Sequence, residues 1–92
     1  MKGNIFNVLL LEKPCAILSV LRNAEGKIYT SEAARKVNCT YSHTRKILLF
    51  LEKKGIINFK KQGRIHKINL TEKGEKIAEQ LEKLKELLIQ NV

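Results

Sequence analysis

The chain has 92 residues, enough for one small domain with a core of modest size. Its hydrophobic content of 43% is typical of a folded chain and excludes wholesale disorder. The formal net charge is +9, and most of it lies in residues 41–67, where eight basic residues stand against Glu52 alone. Positive charge concentrated in this way indicates a polyanionic partner.

An anionic membrane surface is the competing partner for such charge. A surface-lying amphipathic helix would place its basic residues beside an apolar face with exposed aromatics, whereas here they fall partly on a predicted hairpin. No apolar run approaches the ~18 residues of a transmembrane helix, and the start of the chain lacks a signal-peptide cleavage site. Cys15 and Cys39 form no C-x-x-C pair. We therefore expect a reduced, cytoplasmic protein without a membrane partner.

The N-terminal third is predicted to contain an arm and a helix. Residues 1–13 form an N-terminal arm or helix that is apolar almost all round, so it needs cover from its own core or from a partner subunit. Pro14 suits the first turn of the next helix, and Gly26 can end that helix in a left-handed conformation. The predicted buried stripe of this helix consists of Ile17, Leu18 and Leu21.

A helix-turn-helix is predicted after a short extended segment at residues 27–29. Thr30 or Ser31 can cap its first helix, and Thr40 caps a second helix that runs from Tyr41 to about Lys54. The second helix places apolar or small residues at i, i+3, i+4 and i+7, the spacing of a core-facing stripe: Thr44, Ile47, Leu48 and Leu51.

The N-terminal half of that second helix also carries hydrogen-bonding or charged side chains that point away from the predicted core. They are Tyr41, Ser42, His43, Arg45 and Lys46. A helix that exposes such residues can enter a DNA major groove.

A β-hairpin is predicted after Gly55, which ends the second helix. The strands are assigned to residues 56–60 and 64–70, with the turn at Gln62 and Gly63. A two-residue turn at that place would set Ile57 opposite Ile68. The tip of this hairpin is positively charged because it carries Lys60, Lys61 and Arg64.

A long last helix is predicted from its cap at Thr71 to about Gln90. Its apolar residues are 4, 3 and 4 positions apart, the spacing of a coiled-coil seam: Ile77, Leu81, Leu84 and Leu88. The seam could pack back on its own domain, yet a chain of this length has little other core to cover it. We therefore expect a homodimer that forms through this helix.

The order of helix, short strand, helix-turn-helix, basic hairpin and long terminal helix resembles a winged-helix DNA-binding domain. More narrowly, it resembles the small MarR-like prokaryotic and archaeal transcriptional regulators. Two phrases carry the resemblance: LEKKGII at residues 51–57 and NLTEKG at residues 69–74. The first joins the second helix of the helix-turn-helix to the hairpin, and the second joins the hairpin to the last helix.

The resemblance covers about residues 14–74 and implies an α+β, mostly helical fold. Residues 14–70 would form the winged-helix core, and residues 71–92 the C-terminal dimerisation helix. Full-length MarR proteins are longer and have longer wings, so their ligand pocket is not carried over, and we expect neither a small-molecule ligand nor a cofactor.

The resemblance also implies double-stranded DNA as the partner of a homodimeric, sequence-specific transcriptional regulator. Local chemistry agrees, because Arg45 can donate two hydrogen bonds to guanine, and Ser42 and His43 can meet base edges or phosphate. The expected DNA contacts lie on the recognition helix and on the wing: Thr40, Tyr41, Ser42, His43, Arg45, Lys46, Lys60, Lys61 and Arg64.

Other functions remain open at this stage. A winged helix can dock proteins in a transcription or replication assembly, through residues such as Leu49 and Phe50, although docking does not require the charge of residues 41–67. A sequence-indifferent chromatin or nucleic-acid coat protein would use the same basic surface without reading bases. Tyr41 has two possible roles: it can contact DNA, or it can pack over the turn between the two helices of the helix-turn-helix.

Catalysis and metal binding find little support in the sequence. No Ser-His-Asp grouping or Gly-rich phosphate loop is present, so we do not expect an enzyme. Cys39 and His43 are four residues apart, but the further ligands of a tetrahedral site cannot be placed. A free cysteine is more often a small buried hydrophobe than a sensor, and we expect no metal.

Overall fold

The computed structural model describes residues 11–62 and 65–90. Its elements follow the order α1 (Glu12–Ala24), α2 (Thr30–Lys36), α3 (Tyr41–Lys53), β1 (Ile57–Gln62), β2 (Ile65–Leu70) and α4 (Glu72–Ile89). The predicted N-terminal arm or helix lies outside the described residues, apart from its last three positions. The predicted fold class is confirmed: a mostly helical α+β domain in which a helix-turn-helix precedes a two-stranded hairpin.

Helix α1 begins at Glu12 and has Pro14 in its first turn, where a missing N–H costs no hydrogen bond. It ends in two successive left-handed residues, Glu25 with φ 53° and Gly26 with φ 75°. The left-handed Gly26 was predicted, whereas the left-handed Glu25 was not. The predicted stripe is buried as expected, with no more than 2% of any side chain exposed: Ile17, Leu18 and Leu21.

Helix α2 begins at Thr30, so the prediction that Thr30 or Ser31 caps it is wrong. The capping position belongs to Tyr29, whose φ of −106° and ψ of 165° are extended, and no side chain caps the helix. The carbonyl oxygen of Tyr29 accepts a hydrogen bond from the Ala33 amide at 3.0 Å. Because the helix starts one residue earlier than the side-chain signals indicate, Thr30 becomes a buried first-turn residue that is 7% exposed.

A bridge to the hairpin explains where α2 starts. Tyr29 forms an isolated antiparallel bridge with Lys67, and the Ile68 amide donates to the Ile28 carbonyl oxygen at 3.0 Å. This pairing holds Tyr29 in the extended conformation required of a capping residue. The predicted extended segment at residues 27–29 is thus a short third partner of the hairpin.

The hairpin is antiparallel as predicted, but the predicted register is wrong by two residues. Ile57 pairs with Leu70 instead of Ile68, and the ladder continues outward to a pair between Gln62 and Ile65. Strand β1 extends to Gln62, two residues beyond its predicted end, so the first of the two predicted turn residues belongs to the strand, while Gly63 lies outside the described residues. Since the shift is even, each side chain keeps its face, and Ile57 and Ile68 remain buried at 1% exposure.

The core is one cluster that draws on every described element. Helix α3 contributes four residues with 0% exposure, which confirms its predicted stripe: Thr44, Ile47, Leu48 and Leu51. Helix α4 contributes Ala78, while its Ile77 and Leu81 are half-buried against the same cluster. A side-chain hydrogen bond of 2.6 Å from Ser19 Oγ to Glu82 Oε1 also joins α1 to α4.

The two phrases that carry the family resemblance meet in space at the start of α4. Thr71 caps this helix, as predicted, by accepting a hydrogen bond from the Gly74 amide at 3.0 Å. Its hydroxyl donates to the Gly55 carbonyl oxygen at 2.6 Å, with the Ile56 carbonyl oxygen 3.1 Å away as an alternative acceptor. The Thr71 amide donates to that Ile56 oxygen at 3.0 Å. We call these four residues the α3–α4 junction.

Glycine is required at position 74 because two backbone segments touch there. A Cβ on Gly74 would overlap the carbonyl oxygen of Ile56, which is backbone and has no rotamer by which to move away. At Gly55 the requirement is different. Its φ of +75° disfavours other residues, yet a Cβ there would meet no atom within 4 Å.

Among the described residues, none of the helices is long and apolar enough to span a membrane.

We predict that Gly74→Ala lowers the free energy of unfolding by about 2–3 kcal/mol, because the overlap with Ile56 must be relieved by moving α4. Alanine also gains up to ~1 kcal/mol of helix propensity over glycine, and the overlap must exceed that gain. Urea denaturation followed by circular dichroism measures the change.

Gly55→Ala is the matched control, because it changes the same residue types in open space and should cost about 1–2 kcal/mol for the left-handed backbone alone. A smaller loss for Gly74→Ala than for Gly55→Ala would contradict the close contact at the α3–α4 junction.

Candidate nucleic-acid interface

Helix α3 has two opposite faces. Its core face is the fully buried stripe described above. The opposite face follows the positions i, i+3, i+4, i+7 and i+11, and all of its side chains are exposed: Ser42, Arg45, Lys46, Leu49 and Lys53. We call this set the outward stripe. Three of its five members are cationic, so burial of one face leaves a basic face available to a partner.

The first turn of α3 favours an anion. Thr40 caps the helix by accepting a hydrogen bond from the His43 amide at 3.1 Å, as predicted. None of the first-turn residues of α3 is acidic, whereas Glu12 begins α1, Glu32 lies in the first turn of α2, and Glu72 begins α4. The positive end of the α3 dipole therefore has no neutralising carboxylate within its own first turn.

The turn between α2 and α3 is fixed from the outside by α1. Asn38 adopts a left-handed φ of 54°, and the following Cys39 amide donates to the Ala34 carbonyl oxygen at 2.9 Å. Lys13 Nζ donates to the Val37 carbonyl oxygen at 2.8 Å, at the C-terminal end of α2. A cation at that end complements the helix dipole and holds the turn, and hence the start of α3, against α1.

The hairpin carries lysines on both of its faces. Lys60 lies directly opposite Lys67 in the ladder, so the two side chains share one face. Lys61 follows on the other face and, like Lys60, is exposed. Like charges placed directly across a strand pair repel each other, which costs stability in the absence of an anion.

The predicted DNA contacts on α3 are all exposed, including the capping residue. They are Thr40, Tyr41, Ser42, His43, Arg45 and Lys46. Tyr41 has 52% of its surface exposed, so the side chain is accessible to a partner. On the hairpin, Lys60 and Lys61 are exposed as predicted, and Arg64 lies outside the described residues.

Two basic residues of this surface were missed in the sequence. Lys53 was not among the predicted DNA contacts, although its i+7 spacing from Lys46 places it on the outward stripe. Lys67 was passed over because the assumed register did not set it opposite Lys60. Lys53 could have been found by extending the helical period along α3, whereas finding Lys67 required knowledge of the strand pairing.

The predicted dimerisation seam is divided between two environments. Ile77 and Leu81, in the first half of α4, pack against the core of their own chain. Beyond them the helix is exposed, with Leu84 at 42% and Leu88 at 76%. Leu87 and Ile89 widen this apolar end at 68% and 69% exposure. A groove of about 410 Å³ between α1 and α4 lies beside it, lined in part by Leu11, Leu18 and Leu81.

Cys15 and Cys39 are half-buried free thiols. Cys39 packs against the core at the turn between α2 and α3, the apolar environment expected of a free cysteine that acts as a small hydrophobic residue. Among the residues whose side chains the structure describes, a set that leaves out His66, no three His, Cys, Asp or Glu side chains converge as metal ligands do.

Comparison with known proteins agrees with this geometry. A family model described as winged helix-turn-helix matches residues 13–89. The crystal structure of AF1382 from Archaeoglobus fulgidus is similar to this chain with a TM-score of 0.84 and 26% sequence identity. The similarity covers 96% of this chain and 100% of that one. Among curated protein sequences, none matched.

Regulators of the MarR family share the fold. The MarR family transcriptional regulator SPO1453 from Silicibacter pomeroyi is 18% identical with a TM-score of 0.77, over 90% of this chain and 60% of that one. A mutant of MepR from Staphylococcus aureus, bound to an oligodeoxyribonucleotide, is 18% identical with a TM-score of 0.75. That match covers 96% of this chain and 70% of MepR. The resemblance to a MarR-like winged helix is confirmed at the level of fold, and this chain spans less than two thirds of SPO1453.

We predict that repulsion between Lys60 and Lys67 lowers the stability of the free protein. Reversing one charge, with Lys60→Glu or Lys67→Glu, should raise the free energy of unfolding by about 0.2–1 kcal/mol at low salt, because an opposite-charge pair replaces a like-charge pair.

The double variant, with Lys60→Glu and Lys67→Glu together, again places like charges opposite each other. Its free energy of unfolding should therefore lack the increase seen in either single variant, and a double-mutant cycle measures this coupling. The gains should also shrink as salt screens the pair. Additive effects of the two changes, or gains that do not depend on salt, would contradict a direct interaction between these lysines.

Proposed function

The chain belongs to the winged helix-turn-helix family, and from that premise we propose that it is a homodimeric transcriptional regulator that binds double-stranded DNA sequence-specifically. Helix α3 enters the major groove, and the hairpin, as a wing, contacts the flanking backbone. The observation that carries this proposal is the outward stripe, a basic face of α3 that lies directly opposite its fully buried stripe.

The electrostatics of α3 support a nucleic acid over a neutral partner. Its outward stripe holds Arg45, Lys46 and Lys53, and its first turn holds no carboxylate. Phosphate groups are attracted both by these cations and by the positive end of the helix dipole. Because many phosphate contacts add up, such a surface binds duplexes of any sequence with an affinity that falls steeply with salt.

The wing supports the same partner. Lys60 and Lys67 face each other across the hairpin at a cost to folding. A phosphate between or beside them converts this repulsion into attraction, so the cost in the free protein is offset in the complex. This argument favours contact with the phosphate backbone by the wing, which positions the protein without reading bases.

Sequence preference is assigned to the N-terminal half of α3. Arg45 is exposed on the outward stripe and can donate two parallel hydrogen bonds to the O6 and N7 atoms of guanine. Ser42, three residues earlier on the outward stripe, and His43, two residues earlier, are also exposed and within reach of base edges or phosphate. These groups distinguish a sequence-specific regulator from a coat protein, which needs only the cations.

The protein-docking alternative is weakened by the surroundings of its two contact residues. Phe50 is half-buried against the core and lies under Lys54 Nζ, which is 5.6 Å from the ring centroid. Leu49 is exposed but lies among the cations of the outward stripe. An apolar protein surface docking there would have to desolvate those cations, which is unfavourable without acidic partners.

A homodimer is supported by the C-terminal half of α4. Four large apolar side chains are exposed there, from 42% for Leu84 to 76% for Leu88. A contiguous apolar surface of this kind is a usual mark of an interface. A twofold dimer would present two α3 helices to a pseudo-palindromic site with half-sites about one helical turn apart, ~34 Å, or a multiple of it.

We predict that Arg45→Ala weakens binding to a site selected from random DNA by about 1–3 kcal/mol and relaxes its sequence preference, because a bidentate base contact is lost. Lys60→Ala should instead weaken all duplexes alike and reduce the slope of log affinity against log salt by about one, because a phosphate contact is lost.

Fluorescence anisotropy on selected and random duplexes measures both effects. An unchanged preference after Arg45→Ala would reject Arg45 as a base reader. Equal losses on selected and random DNA from both changes would favour the sequence-indifferent coat protein.

We predict that Leu88→Lys dissociates the dimer, because it places a charge in the apolar surface that the second subunit covers. The side chain is 76% exposed in the single chain, so the change should leave folding intact. Sedimentation equilibrium should show twice the chain mass of 10.6 kDa for the wild-type protein and the chain mass for the variant.

Gln80→Lys is the matched control, since it adds the same side chain at an exposed position nearer the start of α4, and it should remain dimeric. A wild-type protein that sediments as a monomer at micromolar concentration, or a Leu88→Lys variant that stays dimeric, would reject α4 as the interface.

A further inference from the structure

Leu49 is an apolar residue in the middle of a basic surface. It has 42% of its surface exposed, and of the large hydrophobic residues that are exposed in the described part of the chain, only Tyr41 and Leu49 lie on α3. Its neighbours on the outward stripe are Arg45 at i−4, Lys46 at i−3 and Lys53 at i+4. We propose that Leu49 is a specificity-determining residue that contacts the C5-methyl group of a thymine in the major groove.

The chemistry of the groove supplies the argument. The edges that base pairs present in the major groove are hydrogen-bond donors and acceptors, with one apolar group among them, the thymine methyl. Leucine offers neither donor nor acceptor, so that methyl group is the base feature it can recognise. The proposal rests on the proposed function, since it takes α3 to be the helix that enters the groove.

The cations around Leu49 determine which apolar partner it can meet. A hydrophobic pocket on a protein would bring low-dielectric surface against Arg45, Lys46 and Lys53, whose desolvation is costly without paired acids. In a major groove the same cations face phosphates or guanine, while the leucine between them faces the floor of the groove. DNA therefore satisfies the charge and the apolar contact together.

The spacing along α3 places the thymine relative to the other contacts. Leu49 follows Arg45 by four residues, which is ~6 Å of helix rise. Base pairs are stacked at ~3.4 Å, so the thymine should lie about two base-pair steps from the guanine that Arg45 contacts. By the same measure it lies about three steps from the base or phosphate nearest Ser42.

Replacement of thymine by deoxyuridine tests the contact, because it removes the methyl group and leaves every hydrogen-bonding atom of the base in place. A preferred site is first selected from random duplexes with the wild-type protein. Each thymine of that site is then replaced in turn, and the affinity ratio between the thymine and deoxyuridine duplexes is measured for the wild type, Leu49→Ala and Leu49→Met. Because each ratio compares two duplexes with one protein, it does not depend on the folded fraction of a variant.

The wild type should bind about three- to fivefold less tightly when one particular thymine per half-site is replaced, a loss that corresponds to burial of about one CH₂-sized group, ~0.8 kcal/mol. Leu49→Ala should bind the two duplexes equally at that position. Leu49→Met should keep the discrimination, because methionine retains an apolar side chain of similar reach.

Two results would overturn the assignment while leaving the proposed function standing. One is a wild type that binds its selected site with a ratio near one at every thymine. The other is a thymine preference that survives Leu49→Ala, which would transfer the contact to another residue. A wild type that binds no duplex, or selects no site, would reject the proposed function itself and the assignment with it.

Discussion

The fold depends most on the close approach of two backbone segments at the α3–α4 junction. Gly74 allows the first turn of α4 to lie directly on the Ile56 carbonyl, and Thr71 holds the same place with a hydroxyl bonded in two directions. The end of α3, the start of the hairpin and the start of α4 are thereby fixed to one another. The orientation of the basic face of α3 relative to the wing follows from this one contact.

The buried stripe of α3 does the rest of the positioning. Four of its residues have no exposed surface, so the helix cannot rotate about its axis without bringing charged side chains into the core, at a cost of several kcal/mol. The outward stripe is therefore not an arbitrary surface but the necessary complement of the core. Lys13, which caps α2 from α1 at 2.8 Å, and the bridge between Tyr29 and Lys67 keep the neighbouring elements from shifting it.

Local sequence patterns predicted most of the helices and the exposed face of α3. The features that define them depend on nearby residues: the spacing of buried side chains, the caps at Thr40 and Thr71, and the left-handed glycines at positions 26 and 55. The features that were predicted wrongly depend on distant partners. Tyr29 caps α2 only because Lys67 pairs with it, and the strand register follows from the whole ladder rather than from the turn residues. The division of α4 between buried Ala78 and exposed Leu88 likewise depends on where the rest of the domain ends.

The most direct test of the central claim is the salt dependence of binding to random DNA. Fluorescence anisotropy of the purified protein on a pool of random duplexes of ~30 base pairs, from ~50 to ~200 mM salt, should show tight binding that weakens on the order of a thousandfold, because each phosphate contact releases counterions. No binding even at the lowest salt would contradict the claim that α3 and the wing form a DNA-binding surface.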